Sequence, residues 1–566
     1  MRNLPTPRSV TGLLLAFAFT SALAAGAGAN HPRSKMSSDL ASQIDDGNGP
    51  RNVDVIVQGV SSSLDTLRSH LRQHGGTPGR ELGLVDGLVA SVPVSELDAI
   101  AQDPRVRRMT PDRPLAAAMN IAGQAAGFNW PAGSTPAAGG PIGRGIGVAV
   151  IDSGIYPHED LGSAVVATVD FVDPTRAGND LTQDPYGHGT HVAGIIAGRP
   201  VHSSDRDGSF GGVAPGSHLI SLRVLDHKGA GMSSDVIAAL AWCVQHKDEY
   251  GIRVVNMSLG QPVADPSSDD PLDQAVEIAW RAGLVVVTAG GNAGLLGSGY
   301  GMISSPANDP LVIAVGALDD RGTPDRRDDQ TAAFSSKGPT RFDFSIKPDV
   351  VAPGTRIVSL RVPHSTLDRA LPDARVSINS AGSGTAFEPR YFELSGSSMA
   401  AALVSGTAAV MLEADPTLSP DDIKARLMKH ANHLGTQDIY TRGAGAIDAG
   451  AALAGNERAA ASPSPSVFLA ADSDTVLIEE TGPAWGDASL WSLESLYGDP
   501  ALWSEEVTRT ISLFDDACMT GEGITWQHAV AEGIIWQTLT SEGLTWQHLT
   551  GSGLTWQHSL GDGTCP

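Results

Sequence analysis

Cysteine is scarce: Cys243, Cys518 and Cys565 are the only three in 566 residues. That excludes a disulfide-dense scaffold, and with no CxxC pair or Cys/His cluster it also excludes a structural zinc module. Cys518 and Cys565 bracket a tract near the C-terminus and can pair if the chain is exported. Cys243 is then left over as a small apolar residue. Basic residues are in deficit as well, 38 Lys+Arg against 63 Asp+Glu, a net charge of −25. A surface of that sign repels phosphate backbones on average and argues against a nucleic-acid partner. Long apolar runs are missing beyond the N-terminus, so no segment there is expected to cross a bilayer, which takes ~20 residues.

What is present is a globular composition, 41% hydrophobic and 18% charged, in a chain too long for one ordinary domain. The first residues read as an export signal. Arg2 and Arg8 supply the positive end, 13–23 is a short apolar run, and small residues at 24–29 offer a cleavage site. Export makes the protein secreted, with no spanning segment once residues 1–29 are removed.

Residues 51–115 predict a small α+β unit. Val53–Val57 reads as a strand, Leu64, Leu67 and Leu71 follow at helical spacing, and Gly75-Gly76 ends that helix. A second apolar stretch, 87–92, leads to Pro93. Ser95 is then placed to cap a short helix with Leu97 and Ile100, and 106–109 closes as a strand. The order is close to βαββαβ, a ferredoxin-like arrangement.

From about residue 119 short apolar strands alternate with helices. The strands are expected at 146–151, 219–225, 254–257, 284–288 and 311–315, and helices at 234–245 and 272–282. That pattern predicts a mostly parallel sheet covered on both faces, with chemistry beyond the carboxyl ends of its strands. After Gly450 the composition turns to Ala, Ser and Pro, which reads as a linker through 459–466. An acidic stretch with Trp485, Trp491 and Trp503 follows. Then Gly-x-x-Trp-Gln recurs every ten residues from Gly523, Gly533, Gly543 and Gly553. Ten is even, so one extended chain returns each Trp to the same face. Packed strands with turns at the glycines are the plain reading; contact with a cell surface or glycans is the functional one.

Three residues carry chemistry. Asp152 closes the apolar strand and precedes Ser153-Gly154, a place where a carboxylate can be held outward. His188 lies in Gly187-His188-Gly189-Thr190-His191. Two histidines three apart suggest metal, but no third ligand is nearby. Ser398 lies in Gly396-Ser397-Ser398-Met399-Ala400 before an apolar helix. A serine there can be an N-cap, or a nucleophile whose oxyanion faces backbone N–H groups. Chemistry alone leaves His188 against His191 and Ser397 against Ser398 open.

The order Asp, His, Ser is that of subtilisin, and the surrounding residues resemble the subtilase family of serine peptidases. The resemblance rests on 150–154, 188–194 and 396–400, with Thr288-Ala289-Gly290-Gly291-Asn292, 334–339 and 347–354 between, and spans about 140–450. It implies a subtilisin-like three-layer α/β domain with Asp152, His188 and Ser398 as the triad. Asn292 and the Ser398 N–H become the oxyanion hole. Ser258, Leu259 and Gly260 form one wall of the substrate cleft, Gly229 and Gly231 the other, and Ser304 floors the main pocket, favouring an apolar or aromatic residue before the cut. No organic cofactor is required.

The resemblance also makes 30–118 an inhibitory propeptide, released by a cut near 112–120, ahead of a catalytic domain at 119–456, a linker and acidic segment at 457–520, and the Trp repeats at 521–566. Its partners are then polypeptide substrates and its own propeptide. The chain departs from the family after Ala400, where Ala401-Ala402-Leu403 replaces Ser-Pro-His. It also carries an insertion that includes 361–390 and a rearranged 199–212. Asp160 resembles one family calcium ligand, with Asp205 and Asp207 as further oxygens, which leaves structural calcium open. The competing reading is a catalytically dead surface or binding protein, which usually shows a missing triad member or oxyanion Asn; all four are here.

Overall fold

The structure is a computed structural model. It describes residues 32–45, 52–60, 64–117, 140–175, 183–199, 210–296, 299–323, 325–377, 389–435, 437–469, 476–478, 525–530, 533–540 and 543–547. The signal segment, Cys518, Cys565, Asp205, Asp207 and the tryptophans at 485, 491 and 503 lie outside them.

The first unit runs α1 (Ser38–Asp45), β1 (Asn52–Gly59), α2 (Leu64–Gln73), β2 (Thr77–Leu82), β3 (Gly87–Pro93), α3 (Leu97–Gln102) and β4 (Val106–Pro111). Its sheet is antiparallel in the order β2-β3-β1-β4. Val55 and Val57 pack under the helices with Leu67, Leu71, Leu97 and Ile100. Ile56 points the other way, into the core of the following domain, with Leu82 and Val85. Burial on both faces explains why β1 carries three consecutive apolar residues, Val55, Ile56 and Val57. Ser95 does not cap α3: a 3₁₀ turn at Val94–Glu96 leads into the helix, whose cap residue is Glu96 and has no side-chain cap bond.

A short strand β5 (Pro114–Ala117) leaves this unit. Beyond it strands and helices alternate: β6 (Gly147–Asp152), β7 (Val165–Asp170), α4 (His188–Ala197), β8 (His218–Arg223), β9 (Ala230–Met232) and α5 (Ser233–His246). Next come β10 (Ile252–Met257), β11 (Leu259–Gly260), α6 (Pro271–Arg281), β12 (Val285–Ala289), β13 (Ile313–Asp319), β14 (Gln330–Thr331) and β15 (Val350–Pro353). The large sheet is ordered β14-β13-β12-β10-β6-β8-β7, with β15 also on β13, and only the β13–β14 pairing is antiparallel. The chain goes to one side of β6 for β7 and β8 and to the other for β10, β12 and β13. Such a reversal opens a crevice beyond the strand ends. An antiparallel trio follows, β16 (Ile357–Leu360), β17 (Arg375–Val376) and β18 (Tyr391–Leu394), with α7 (Thr366–Ala370) between the first two.

Helix α8 (Ser397–Ala414) crosses the interior, and Ser397 through Leu412 are all buried. By length and composition it could span a membrane, so the expectation that no such segment exists past the signal does not hold. The reason is physical: a helix surrounded by core is apolar all round. Cys243 lies fully buried in the same core, and burial pushes its thiol pKa up.

The stretch 459–466 is not a free linker. Ala459 N–H donates to Asp422 and Ser462 to Asp421, while Ser464 bonds Asp349 and accepts from the buried ammonium of Lys424. Small hydroxyl residues satisfy buried charges here, and the domain's packing runs on to Val467, whose N–H reaches the Phe344 carbonyl. In the repeat tract, Thr525–Val530, Gly533–Thr540 and Gly543–Gln547 pair antiparallel, with Trp526 opposite Gln537 and Trp536 opposite Gln547.

The first unit is tied to the second domain by charge. Arg113 is buried among Asp39, Asp265 and Asp270, Arg80 pairs with Asp235, and Asp112 accepts from Ser234 N–H and Oγ. Removing one partner of a buried ion pair leaves the others desolvated, at about 3–5 kcal/mol. Arg113→Ala in a Ser398→Ala background is therefore expected to lower unfolding free energy by that amount, read from denaturant titration.

Candidate active site

Asp152 stands at the carboxyl end of β6 and His188 at the first position of α4. Two glycines let these ends meet. A Cβ on Gly189 would lie 2.2 Å from the Gly154 carbonyl oxygen and 3.2 Å from Asp152 Oδ1, and Gly154 itself has φ +112°. With the backbones this close, His188 Nδ1 sits 2.8 and 3.0 Å from the two Asp152 oxygens. Asp152 Oδ1 also accepts the Ser153 N–H at 2.7 Å. A carboxylate on Nδ1 fixes the tautomer that leaves Nε2 free to take a proton. His188 Nε2 is buried and has no hydrogen-bond partner among the described residues.

His191 differs in kind. Its Nε2 donates to the carbonyls of Ile357 and Phe392, and burial, then the neighbouring His188, hold its pKa down at about 3. It is a neutral packing residue, which separates the two histidines on physical grounds.

Ser398 lies in the first turn of α8. Its Oγ donates to the Ser258 carbonyl at 3.1 Å, and its own carbonyl accepts from Ser258 Oγ at 3.0 Å. Ser397 is spoken for: its Oγ accepts the Gly291 N–H and its N–H donates to Asn292 Oδ1 at 3.0 Å. That last bond orients the Asn292 amide, and the other end, Nδ2, is buried with no partner among the described residues. An orphan donor is costly, about 1–3 kcal/mol, and calls for an occupant.

Several residues expected to wall the substrate cleft come close together. β11, carrying Leu259 and Gly260, and β9, carrying Gly231, flank β5 in a three-stranded antiparallel sheet. Ala117 N–H donates to the Gly229 carbonyl at 3.1 Å. Ser304 lies between Gly260 and Gly291, since a Cβ on either would come 2.6 or 3.4 Å from its Oγ. Asp152, His188 and Ser398 are each 0% exposed, so the centre is closed in this form. Of the calcium candidates, Asp160 accepts from the Tyr391 hydroxyl, and its Oδ1 is buried without a partner. Among the described residues no group of three metal-ligating side chains gathers there or elsewhere.

Sequence reasoning missed Asp184. It accepts from Ser153 Oγ, Gly187 N–H, Thr190 N–H and Thr190 Oγ, and so shapes the loop that delivers His188. Burial raises its pKa even against those bonds. A lone Asp in a polar loop carries no sequence signal for this; only its position four residues before His188 hints at it.

Residues 143–447 match the model of the subtilase family. Serine protease AprX of Bacillus subtilis (strain 168) is 40% identical over 314 residues, 54% of this chain and 66% of that one. Subtilisin DY of Bacillus licheniformis is 35% identical over 310 residues, covering 55% of this chain and 92% of its own length. M-protease of Shouchella clausii (strain KSM-K16) is 30% identical over 455 residues, 78% of this chain and 97% of that one. In structure the chain resembles fervidolysin from Fervidobacterium pennivorans, a keratinolytic enzyme related to subtilisin. The TM-score is 0.53 at 24% identity, over 72% of this chain and 61% of the other, a likeness of fold. The chain belongs to the subtilase family of subtilisin-like serine proteases.

Asp184→Ala would strip the acceptor from four buried donors. At about 1–3 kcal/mol for a buried group left unsatisfied, the domain should unfold at measurably lower denaturant. Asp184→Asn, which keeps one acceptor oxygen, should cost less in the same titration.

Proposed function

We propose that this protein is a secreted serine endopeptidase made as a precursor, in which residues 30–118 are cut off by the enzyme itself. The observation that carries this reading is the convergence at the sheet's carboxyl edge. A carboxylate-bound imidazole with an unpartnered Nε2, a helix-opening serine bonded to Ser258 and an orphan Asn292 amide all lie at that edge, and a strand of the same chain runs between β9 and β11 beside it.

In this reading the Ser398 hydroxyl leaves the Ser258 carbonyl, donates to His188 Nε2 and attacks the substrate carbonyl carbon as the proton passes to the imidazole. Asp152 holds the tautomer and stabilises the imidazolium. The Asn292 Nδ2–H and the Ser398 N–H receive the oxyanion. The tetrahedral intermediate collapses, His188 gives its proton to the leaving amine, and water then hydrolyses the acyl-enzyme by the same path. Apart from the hydrolytic water, every group in these steps is the chain's own. Polypeptides are the substrates.

The register of β5 supports a cut site. Ala116 is opposite Gly260 and Ala117 opposite Leu259. Ser258 precedes Leu259, and its carbonyl is the one that Ser398 Oγ contacts; Ala118, the residue after Ala117, lies outside the described residues, and we place the residue before the cut there. The scissile bond is then Ala118–Met119, and Leu115, Ala116 and Ala117 are the residues leading up to it.

Fluorophosphonate labelling followed by peptide mass spectrometry tests the proposal. Label on Ser398 in the wild type, none in Ser398→Ala, and a new N-terminus at Met119 in the wild type alone are expected. A mature, folded chain that takes no label sinks the protease reading and favours a catalytically silent binding protein. Asn292→Ala is expected to lower kcat by about 10²–10³, the cost known when subtilisin loses its own side-chain donor.

A further inference from the structure

Residue Tyr186, two before His188, is a feature that the triad does not use. Its ring lies flat on Gly229: a Cβ built there would come 2.5 Å from two ring carbons. Gly229 is the residue whose carbonyl receives the Ala117 N–H. The ring also stands 6.2 Å, centroid to centroid, from the imidazole of His188. Along β5 burial alternates, with Leu115 and Ala117 buried and Pro114 and Ala116 half-buried. A strand's side chains alternate in this way, so Leu115 and Ala117 face into the domain. Ala117 is only 1% exposed, and it shares one apolar cluster with Tyr186, Leu225 and Leu259. At that burial no water-filled space remains open around its methyl group.

What holds Tyr186 there is the insertion. Leu367 N–H donates to the Tyr186 carbonyl at 3.1 Å and Thr366 N–H to the Pro185 carbonyl at 2.9 Å, while Thr366 Oγ1 donates to the His227 carbonyl at 2.7 Å. Two adjacent residues thus tie the histidine loop to the loop carrying Gly229. They are anchored in turn by Asp368, 2% exposed, which accepts from the Arg361 and Arg375 guanidinium groups and from His364 N–H.

We propose that Tyr186, clamped over Gly229 by residues 365–368, closes the pocket for the second residue before the cut, so that the enzyme accepts only small side chains there. Tyr186 is the specificity residue, and Asp368 is a positioning residue acting through it. The inference rests on the protease reading and on the cut at Ala118–Met119.

The test uses the matured enzyme and quenched fluorescent peptides built on Leu-Ala-Xaa-Ala-Met, with Ala, Ser, Leu or Phe at Xaa. The wild type is expected to favour Ala and Ser over Leu and Phe by about tenfold or more in kcat/KM, the scale on which pockets discriminate by fit. Tyr186→Ala should raise the Leu/Ala ratio about tenfold, mainly through a lower KM for the Leu peptide. Asp368→Ala should move the ratio the same way, which a purely structural loss would not do. Equal cleavage of Ala and Leu peptides by the wild type, or an unchanged ratio in Tyr186→Ala, overturns the inference. Should Tyr186→Ala fail to mature, the wild-type panel alone decides. A Ser398 that takes the fluorophosphonate label while none of these peptides is cut overturns this inference and leaves the protease reading standing; absence of label overturns both.

Discussion

The contact on which the site depends is the one between the end of β6 and the start of α4. A buried carboxylate and a buried imidazole can be held 2.8 Å apart only if the two backbones approach within side-chain distance. Gly154 and Gly189 make that approach sterically open, since a methyl group on Gly189 would press on the Gly154 carbonyl. The parallel sheet fixes where β6 ends, and Asp184 fixes where α4 begins. Serine and amide are then brought in by a different route: α8 threads the core, and the Ser397–Asn292 bond locks its first turn to the end of β12.

The same architecture accounts for the closed centre. The first unit presents one apolar face to its own helices and the other, through Ile56, Leu82 and Val85, to the second domain. Ion pairs around Arg113 and Arg80 then align it, and β5 is drawn between β9 and β11. A strand added between two edges gains main-chain hydrogen bonds whatever its side chains, and pockets for alternate residues add selectivity. A strand covalently joined to the domain that holds it enters that cleft at high effective concentration. Cutting the link removes this advantage.

Much of the candidate site was legible because its residues sit in short stretches whose local shape is set by glycine. Asp152-Ser153-Gly154, Gly187-His188-Gly189 and Gly396-Ser397-Ser398 each carry the functional group and its turn together. The alternating apolar strands and helices likewise announced a parallel sheet, with strand ends within a few residues of those observed. Less visible were features made by distant partners. Asp184 looks like any loop aspartate. The Ala459–Ser466 stretch has a linker's composition, yet it is consumed by Asp349, Asp421, Asp422 and Lys424. Ser95 looks like a helix cap, and a 3₁₀ turn displaces it.

By itself the sequence determined the class of chemistry, because three side chains and one amide come with the backbone turns that aim them. It also determined the order of the units and the alternation that builds the sheet. The resemblance already pointed to His188, and only the tertiary structure shows how the surroundings of His188 and His191 differ, through a carboxylate 36 positions away and two carbonyls from 166 and 201 positions away. It alone decided the register of β5 in the cleft and the clamp on Tyr186. Those depend on hydrogen bonds between segments far apart in the chain, and no local pattern encodes a partner that folding has yet to bring near.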